Sequence, residues 1–262
     1  MIVEQIWTAN KGANYNYIVA CGETGEALAI DPVEHELCLA RAKDKGWDIT
    51  QIVNTHEHGD HIAGNAAMVE ATGAKLFAHE NAGAKIPGMD GGLAAGDVVK
   101  VGASAELDVL DTPGHTLIHI CLLTREDTPA LIAGDTIFNA GAGNCRGGDP
   151  ELLYETFTTQ LAKLPENTRV YSGHDYFEHN LGFTLDREPD NARAKEILGL
   201  VKNQDPADPL ITTLGLEKEI NCFFRLSSPG VIENLRQSFP DLEAQPGEKT
   251  VFLKLRELRN SW

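Results

Sequence analysis

The sequence is short of positive charge, of cysteine and of long apolar runs. Its 262 residues hold 22 Lys+Arg against 39 Asp+Glu, a formal net charge of −17 at pH 7. That deficit argues against nucleic-acid binding, which needs a cationic face to displace phosphate counterions. It also argues against docking on anionic membranes. No stretch approaches the ~18 apolar residues that a membrane helix needs. The opening MIVEQIWTAN has no basic region, and Glu4 interrupts its apolar run, so no secretory signal is expected. The five cysteines (Cys21, Cys38, Cys121, Cys145, Cys222) are scattered, odd in number and form no CxxC pair. That pattern suits reduced thiols in a cytoplasmic protein better than a disulfide framework. Internal repeats and low-complexity segments are also missing, which excludes a solenoid.

What is present is an ordinary globular mixture, 42% hydrophobic and 23% charged. Residues 2–7, 15–21 and 27–30 are short apolar or alternating runs split by Gly and Asn, as in an antiparallel meander. Residues 34–45 have helical spacing and stop at Gly46; residues 49–54 read as a strand, 62–72 as a helix ending at Gly73, and 75–78 as a strand. Further strands are expected at 98–101, 106–111, 118–123, 130–133 and 169–172, with a Gly-rich loop at 140–148 and a helix at 150–163. Beyond about residue 176 the strand signals fade, and 190–202, 231–239 and 249–260 all read as helices. The expected boundary therefore lies near residues 176–180, dividing a strand-rich domain at 1–177 from a helical domain at 178–262.

The strongest chemical signal is Thr55-His56-Glu57-His58-Gly59-Asp60-His61, directly after an apolar strand. Three imidazoles and two carboxylates within six residues make poor core material unless a cation binds them. Imidazole nitrogen and carboxylate oxygen are the donors expected for zinc or a similar first-row ion. A turn leaving a strand aims alternate residues at two neighbouring points, which lets His56 and His58 serve one ion and Asp60 and His61 a second. Three later positions repeat the theme at Gly-marked bends after strands: His115 in Thr112-Pro113-Gly114-His115, Asp135 in Ala133-Gly134-Asp135, and His174 in Ser172-Gly173-His174. A lone His or Asp at a strand end is ordinarily a solvated turn residue. A six-residue cluster with three matched companions is not. Two ions need about eight ligand contacts; five His and Asp60 supply six, a bridging Asp135 supplies two, and a water or hydroxide fills the remaining bridging position.

HxHxDH followed by PGH, GD and SGH resembles the metallo-β-lactamase superfamily. The resemblance implies an α+β fold, a four-layer αββα sandwich with the metal site at one edge and here a helical C-terminal domain. It implies that His56, His58 and His115 hold one ion, Asp60, His61 and His174 the other, with Asp135 bridging. Within the superfamily, most of the chain is similar to the glyoxalase II (hydroxyacylglutathione hydrolase) family. Asn14-Tyr15-Asn16-Tyr17, Asp31-Pro32, Ser172-Gly173-His174-Asp175-Tyr176, Glu188-Pro189-Asp190-Asn191, the 213–225 segment and the terminal Leu255-Arg256-Glu257-Leu258-Arg259 carry that likeness. It implies that Arg256 and Arg259 grip the glycine carboxylate of glutathione and that Tyr176 lines the same site. The loop after Asp135 departs from the family: Asn144 stands where a basic residue is usual and Arg146 where an aromatic is usual, so Arg146 is the candidate to supply the displaced charge.

The resemblance implies hydrolysis of an acyl-glutathione thioester, S-D-lactoylglutathione to D-lactate and glutathione, in methylglyoxal detoxification. Attack comes from a metal-bridging hydroxide that Asp60 and Asp135 orient. Two divalent ions are expected, zinc first, with iron or manganese as the alternatives. The alternative activities on the same scaffold are a persulfide dioxygenase and a lactonase. A monomer acting on a small thioester is expected. His119 is read as either a hydrogen-bonding partner of the ligands or a core histidine; His35, His79 and His179 read as structural or solvated. Cys145 is not read as a nucleophile.

Overall fold

The computed structural model describes residues 1–262. The chain opens with three antiparallel strands, β1 (Ile2–Trp7), β2 (Tyr15–Ala20) and β3 (Glu26–Ile30). Helix α1 (His35–Lys45) ends at Gly46 in the left-handed conformation and returns the chain to β4 (Asp48–Val53), parallel to β3. Two short helices, α2 (Gly59–Ile62) and α3 (Asn65–Thr72), lead to β5 (Lys75–His79) and then β6 (Gly91–Leu93), which extend the sheet in parallel. These six strands lie in chain order.

The second sheet starts with β7 (Val98–Val101), β8 (Ala105–Asp111), β9 (Ile120–Thr124) and β10 (Ala130–Gly134), all antiparallel to their neighbours. A small hairpin, β11 (Ile137–Phe138) and β12 (Gly141–Ala142), precedes α4 (Pro150–Glu155). Asp149 caps α4 by accepting from the Glu151 and Leu152 amides, and Pro150 occupies its first turn. The helix runs on through a wider turn at Thr156–Gln160 and a tighter one at Leu161–Lys163. Strand β13 (Arg169–Ser172) then pairs in parallel with β10. Helices α5 (Phe177–Arg187) and α6 (Ala192–Val201) follow, then β14 (Thr212–Thr213) on the edge beside β13, and α7 (Leu214–Ile220), α8 (Pro229–Ser238) and α9 (Glu248–Arg259).

Strand alternation builds the layers. Tyr15, Tyr17 and Val19 of β2 face the second sheet and pack with Leu107, Val109, Ile120, Leu122 and Ile132. Ile18 and Ala20 face the other way, against Cys38 and Ala42 of α1 and Met68 of α3. Leu131 and Ala133 of β10 turn outward onto Leu153, Phe157, Phe183, Phe223 and Phe252. The order is thus helix, sheet, sheet, helix, the four-layer sandwich expected. Phe252 is wholly buried, with ring centroids 5.3 Å from Phe157 and 5.2 Å from Phe223. Truncating such a side chain costs about 3–5 kcal/mol. The C-terminal helices share that core, and β14 joins their side of the chain to the second sheet.

The structure differs from the sequence reading in several details: the short strands β6, β11, β12 and β14 and helix α7 were not expected, and two helices differ for clear physical reasons. The helix expected at 62–72 is split at Gly64, where a β-carbon would sit 1.9 Å from the Pro32 carbonyl oxygen. Helix α5 has no counterpart in that reading, because its buried face includes Asn180 and Thr184 beside Phe177, Leu181 and Phe183. The polar positions blur the 3.6-residue apolar period.

Candidate metal centre

The strands deliver every residue of the histidine constellation to one edge of the sandwich. His56 and His58 lie in the turn after β4, and Asp60 and His61 in the single turn of α2. His115 follows β8, Asp135 follows β10, and His174 follows β13. Two bends there require glycine. Gly134 has φ +47, and a β-carbon on it would lie 2.5 Å from Thr55 Oγ1. At Gly173 the constraint is space, since a β-carbon would lie 2.3 Å from Asp135 Oδ1.

The donor atoms form two groups. His58 Nδ1 is 3.1 Å from His56 Nε2 and 3.0 Å from His115 Nε2. His174 Nε2 is 3.2 Å from His61 Nε2 and 3.5 Å from Asp60 Oδ2. Asp135 lies between them: Oδ1 is 3.4 Å from His61 Nε2, and Oδ2 is 3.5 Å from His115 Nε2 and 3.4 Å from His174 Nε2. Four ligands held ~2.1 Å from one ion in tetrahedral geometry sit about 3.4 Å apart. The spacing therefore suits a first-row cation.

Proton placement agrees. His61 Nδ1 is 2.9 Å from Asp31 Oδ2, His115 Nδ1 is 2.6 Å from Asn144 O, and His174 Nδ1 is 2.7 Å from Gly12 O. Each oxygen can only accept, so each Nδ1 carries the proton and Nε2 presents a lone pair in the neutral ring. The facing lone pairs of His61 and His174 call for a cation between them. Asp135 Oδ1 is buried with no hydrogen-bond partner, a further donor atom awaiting one. With protons as the only cations, burial and neighbouring imidazoles hold His56 and His119 well below the ordinary histidine range. Burial opposes charge on His61 too, but Asp135 and Asp31 outweigh it and raise its pKa. The residues fit a pair of divalent ions.

Side chains beyond the seven donors hold this arrangement; the sequence reading weighed His119 for such a part but not Asp31. Asp31 directly follows β3 in the left-handed region, φ +48, and accepts from the Thr55 amide (2.8 Å) and hydroxyl (2.6 Å) as well as from His61. His119 accepts the Asp135 amide on Nε2 at 3.1 Å, so its Nδ1–H goes to the hydroxyl of Thr112 (2.9 Å) or Thr136 (3.0 Å). Its ring stacks on His56, centroids 5.0 Å apart. His79 pairs instead with Asp111 at 3.4 Å, and His179 packs on Trp262 at 4.7 Å. Cys145 is half-buried, and burial pushes its thiol up to about 11; such a thiol is a poor nucleophile.

Beside the centre lies a cavity of about 310 Å³ lined by Asn144, Arg146, Tyr176, Arg256 and Arg259, together with Phe138, Asn180 and Trp262. All five substrate-binding candidates thus share one wall system. The Tyr176 ring stacks flat on His174 at 4.9 Å, and Phe138 packs edge-on to both. Arg259 donates to Asn180 Oδ1 at 3.0 Å. A larger and more open cavity of about 500 Å³ shares Tyr176 but is otherwise lined by Asp175, Glu178, His179, Val201, Asn203, Gln204 and Pro206. It contains none of the clustered donors.

Residues 11–174 match the metallo-beta-lactamase superfamily model, and residues 175–262 match the hydroxyacylglutathione hydrolase C-terminus model. Over 263 aligned residues, covering all of both chains, the sequence is 63% identical to a hydroxyacylglutathione hydrolase of Nitrosococcus oceani. Among solved structures it is similar to ETHE1 from Myxococcus xanthus, with TM-score 0.68 and 24% identity over 98% of this chain and 99% of that one. It is also similar to TTHA1623, solved in a di-iron-bound form, with TM-score 0.58 and 26% identity over 82% of this chain and 96% of that one. The sandwich, the paired donor groups and the full-length likeness agree: the chain belongs to the metallo-beta-lactamase superfamily and, within it, to the hydroxyacylglutathione hydrolase family.

Proposed function

We propose that this protein hydrolyses acyl-glutathione thioesters, taking S-D-lactoylglutathione and water to D-lactate and glutathione. The observation that carries the reading is the juxtaposition of Asp135, set between two donor groups, with an arginine-lined cavity next to His174. Identity of 63% along the whole chain to a hydroxyacylglutathione hydrolase supports it.

In this reading His56, His58 and His115 would hold one divalent ion and Asp60, His61 and His174 the other, with Asp135 set between the two groups. Such ions supply Lewis acidity and water with its pKa lowered toward about 7. The mixed imidazole and carboxylate donors favour zinc, and iron or manganese fit the same set. The rest belongs to the chain's own side chains. Asp60 is exposed at the mouth, so it accepts a hydrogen bond from water entering the centre and, with Asp135, orients it toward the thioester carbonyl. The leaving thiol has a pKa of about 8.5 and needs no strong general acid. Arg259 and Arg146 attract the tripeptide's carboxylate, with Asn144 and Arg256 completing that wall; this remote grip lines up the scissile bond. Tyr176 and Phe138 form the apolar passage between cavity and centre. The unpaired state of all five cysteines suits work in the cytoplasm.

The test is a substrate panel with zinc-loaded protein: S-D-lactoylglutathione, the same acyl group on a thiol lacking the glycine carboxylate, and a lactone. Fast thioester loss with the first, a raised KM with the second and background rates with the third are expected. Preference for the lactone contradicts the proposal.

A further inference from the structure

We infer that Arg256 is a positioning residue for the metal centre, acting on His115 through the backbone of residues 142–144. The inference rests on the reading of His115 as a metal ligand.

Arg256 is only 4% exposed. Nη1 donates to the carbonyls of Ala142 (2.7 Å) and Gly143 (3.0 Å), and Nη2 donates to Asn260 Oδ1 (3.2 Å). The very next carbonyl, that of Asn144, takes the Nδ1–H of His115 at 2.6 Å. Three consecutive carbonyls are therefore divided between one arginine of α9 and one histidine of the centre. An arginine whose whole task was to grip a ligand would keep its donors turned to the cavity. Here three of the five N–H groups are taken up within the protein, and Nε has no partner.

The loop cannot relax the other way. Gly143 donates its amide to Thr136 O at 3.2 Å, and a β-carbon on it would lie 2.0 Å from Asp135 O and 3.1 Å from His115 Cβ. The backbone is pressed against two members of the centre on one side and held by Arg256 on the other. Burying a cation without a carboxylate is unfavourable. Arg256 forms no ion pair; its compensation is the carbonyls and the face of Phe223, 5.5 Å from the guanidinium carbon. The arrangement has a direct consequence for His115. A fixed carbonyl on Nδ1–H sets the ring's tautomer and aim, and loss of such an outer partner typically weakens metal affinity 10–100-fold.

The test compares Arg256→Met, Arg256→Lys and Arg259→Met by zinc affinity in chelator competition, alongside KM and kcat. Arg256→Met is expected to weaken one of the two ions about 10–100-fold and to leave the other at its original affinity. Arg256→Lys keeps the charge and stem but loses the planar fork, so it is expected to weaken the same ion by a smaller factor. Arg259→Met is expected to keep both ions and raise KM. Thermal melts identify any variant that does not fold, and the lysine variant then decides. Original zinc affinity in the folded Arg256 variants, with only KM raised, overturns the inference while leaving the hydrolase reading standing. Fewer than two ions on the unaltered protein overturns both.

Discussion

The carboxylate of Asp31 lies 2.9 Å from Nδ1 of His61 and also accepts the amide and hydroxyl of Thr55. One side chain at the end of β3 thus fixes both the second donor group and the turn that carries His56.

Asp31→Asn separates the charge from the backbone requirement, because Asn tolerates positive φ. The variant should fold, yet it should hold the ion at Asp60, His61 and His174 about 10–100-fold more weakly. Metal content after dialysis against a weak chelator checks this. Unaltered retention of two ions removes the role given to Asp31.

Arg259 keeps Nη1 and Nε free while Nη2 rests on Asn180 and its guanidinium carbon lies 5.8 Å from the Trp262 ring. A charge-assisted hydrogen bond contributes about 1.5–3 kcal/mol. Arg259→Met should therefore raise KM for S-D-lactoylglutathione by roughly 10–100-fold and change kcat little. Steady-state kinetics decides, and a fall in kcat at constant KM contradicts the assignment.

Glu217 is wholly buried and takes hydrogen bonds from Thr212 (2.7 Å), Ala140 N (2.9 Å) and Asn221 (3.0 Å). Burial raises its pKa to about 7, against the pull of those donors. A carboxyl whose pKa is higher folded than unfolded favours the folded state at low pH, and that advantage is lost as pH rises through the folded value. Wild-type stability relative to Glu217→Gln should fall from about pH 4.5 to about pH 7 and then level, by roughly 3 kcal/mol in all. Urea unfolding across that range is the check; a flat difference contradicts it.

Glu188 is buried and meets Arg225 twice, at 2.5 and 2.7 Å, with Asn191 and Ser228 filling its remaining lone pairs. Burial raises its pKa, but Arg225 and the other donors outweigh that and leave it lowered. Glu188→Ala should cost about 2–4 kcal/mol, the range for a broken buried pair reduced for the partial exposure of Arg225. Chemical denaturation reads this directly; a loss below about 1 kcal/mol places the pair among ordinary surface contacts.

The centre was legible because four of its seven donors fall within six residues and the other three each follow a strand at a Gly-marked bend. The second layer was not. Asp31 meets Thr55 only because β3 and β4 run side by side in parallel, which the meander signal at residues 2–30 does not reveal. His119 left two readings open, and its Nε2 bond to the Asp135 amide joins them: it is buried in the core and also fixes a member of the centre. Arg256 reads on a helical wheel as one half of a basic face. Its burial depends on a loop more than a hundred residues earlier reaching back to α9. The cavity wall was read through Asn144, Arg146, Tyr176, Arg256 and Arg259, whereas Trp262 and Asn180 enter it through tertiary packing with no local signal.

The most direct measurement of the central claim strips the protein with a chelator, adds zinc back stepwise and follows thioester loss from S-D-lactoylglutathione at each step. Activity should be absent at the start, climb with added zinc and saturate at two ions per chain. Full activity before any zinc is added, or two bound ions with only the uncatalysed rate, contradicts the account.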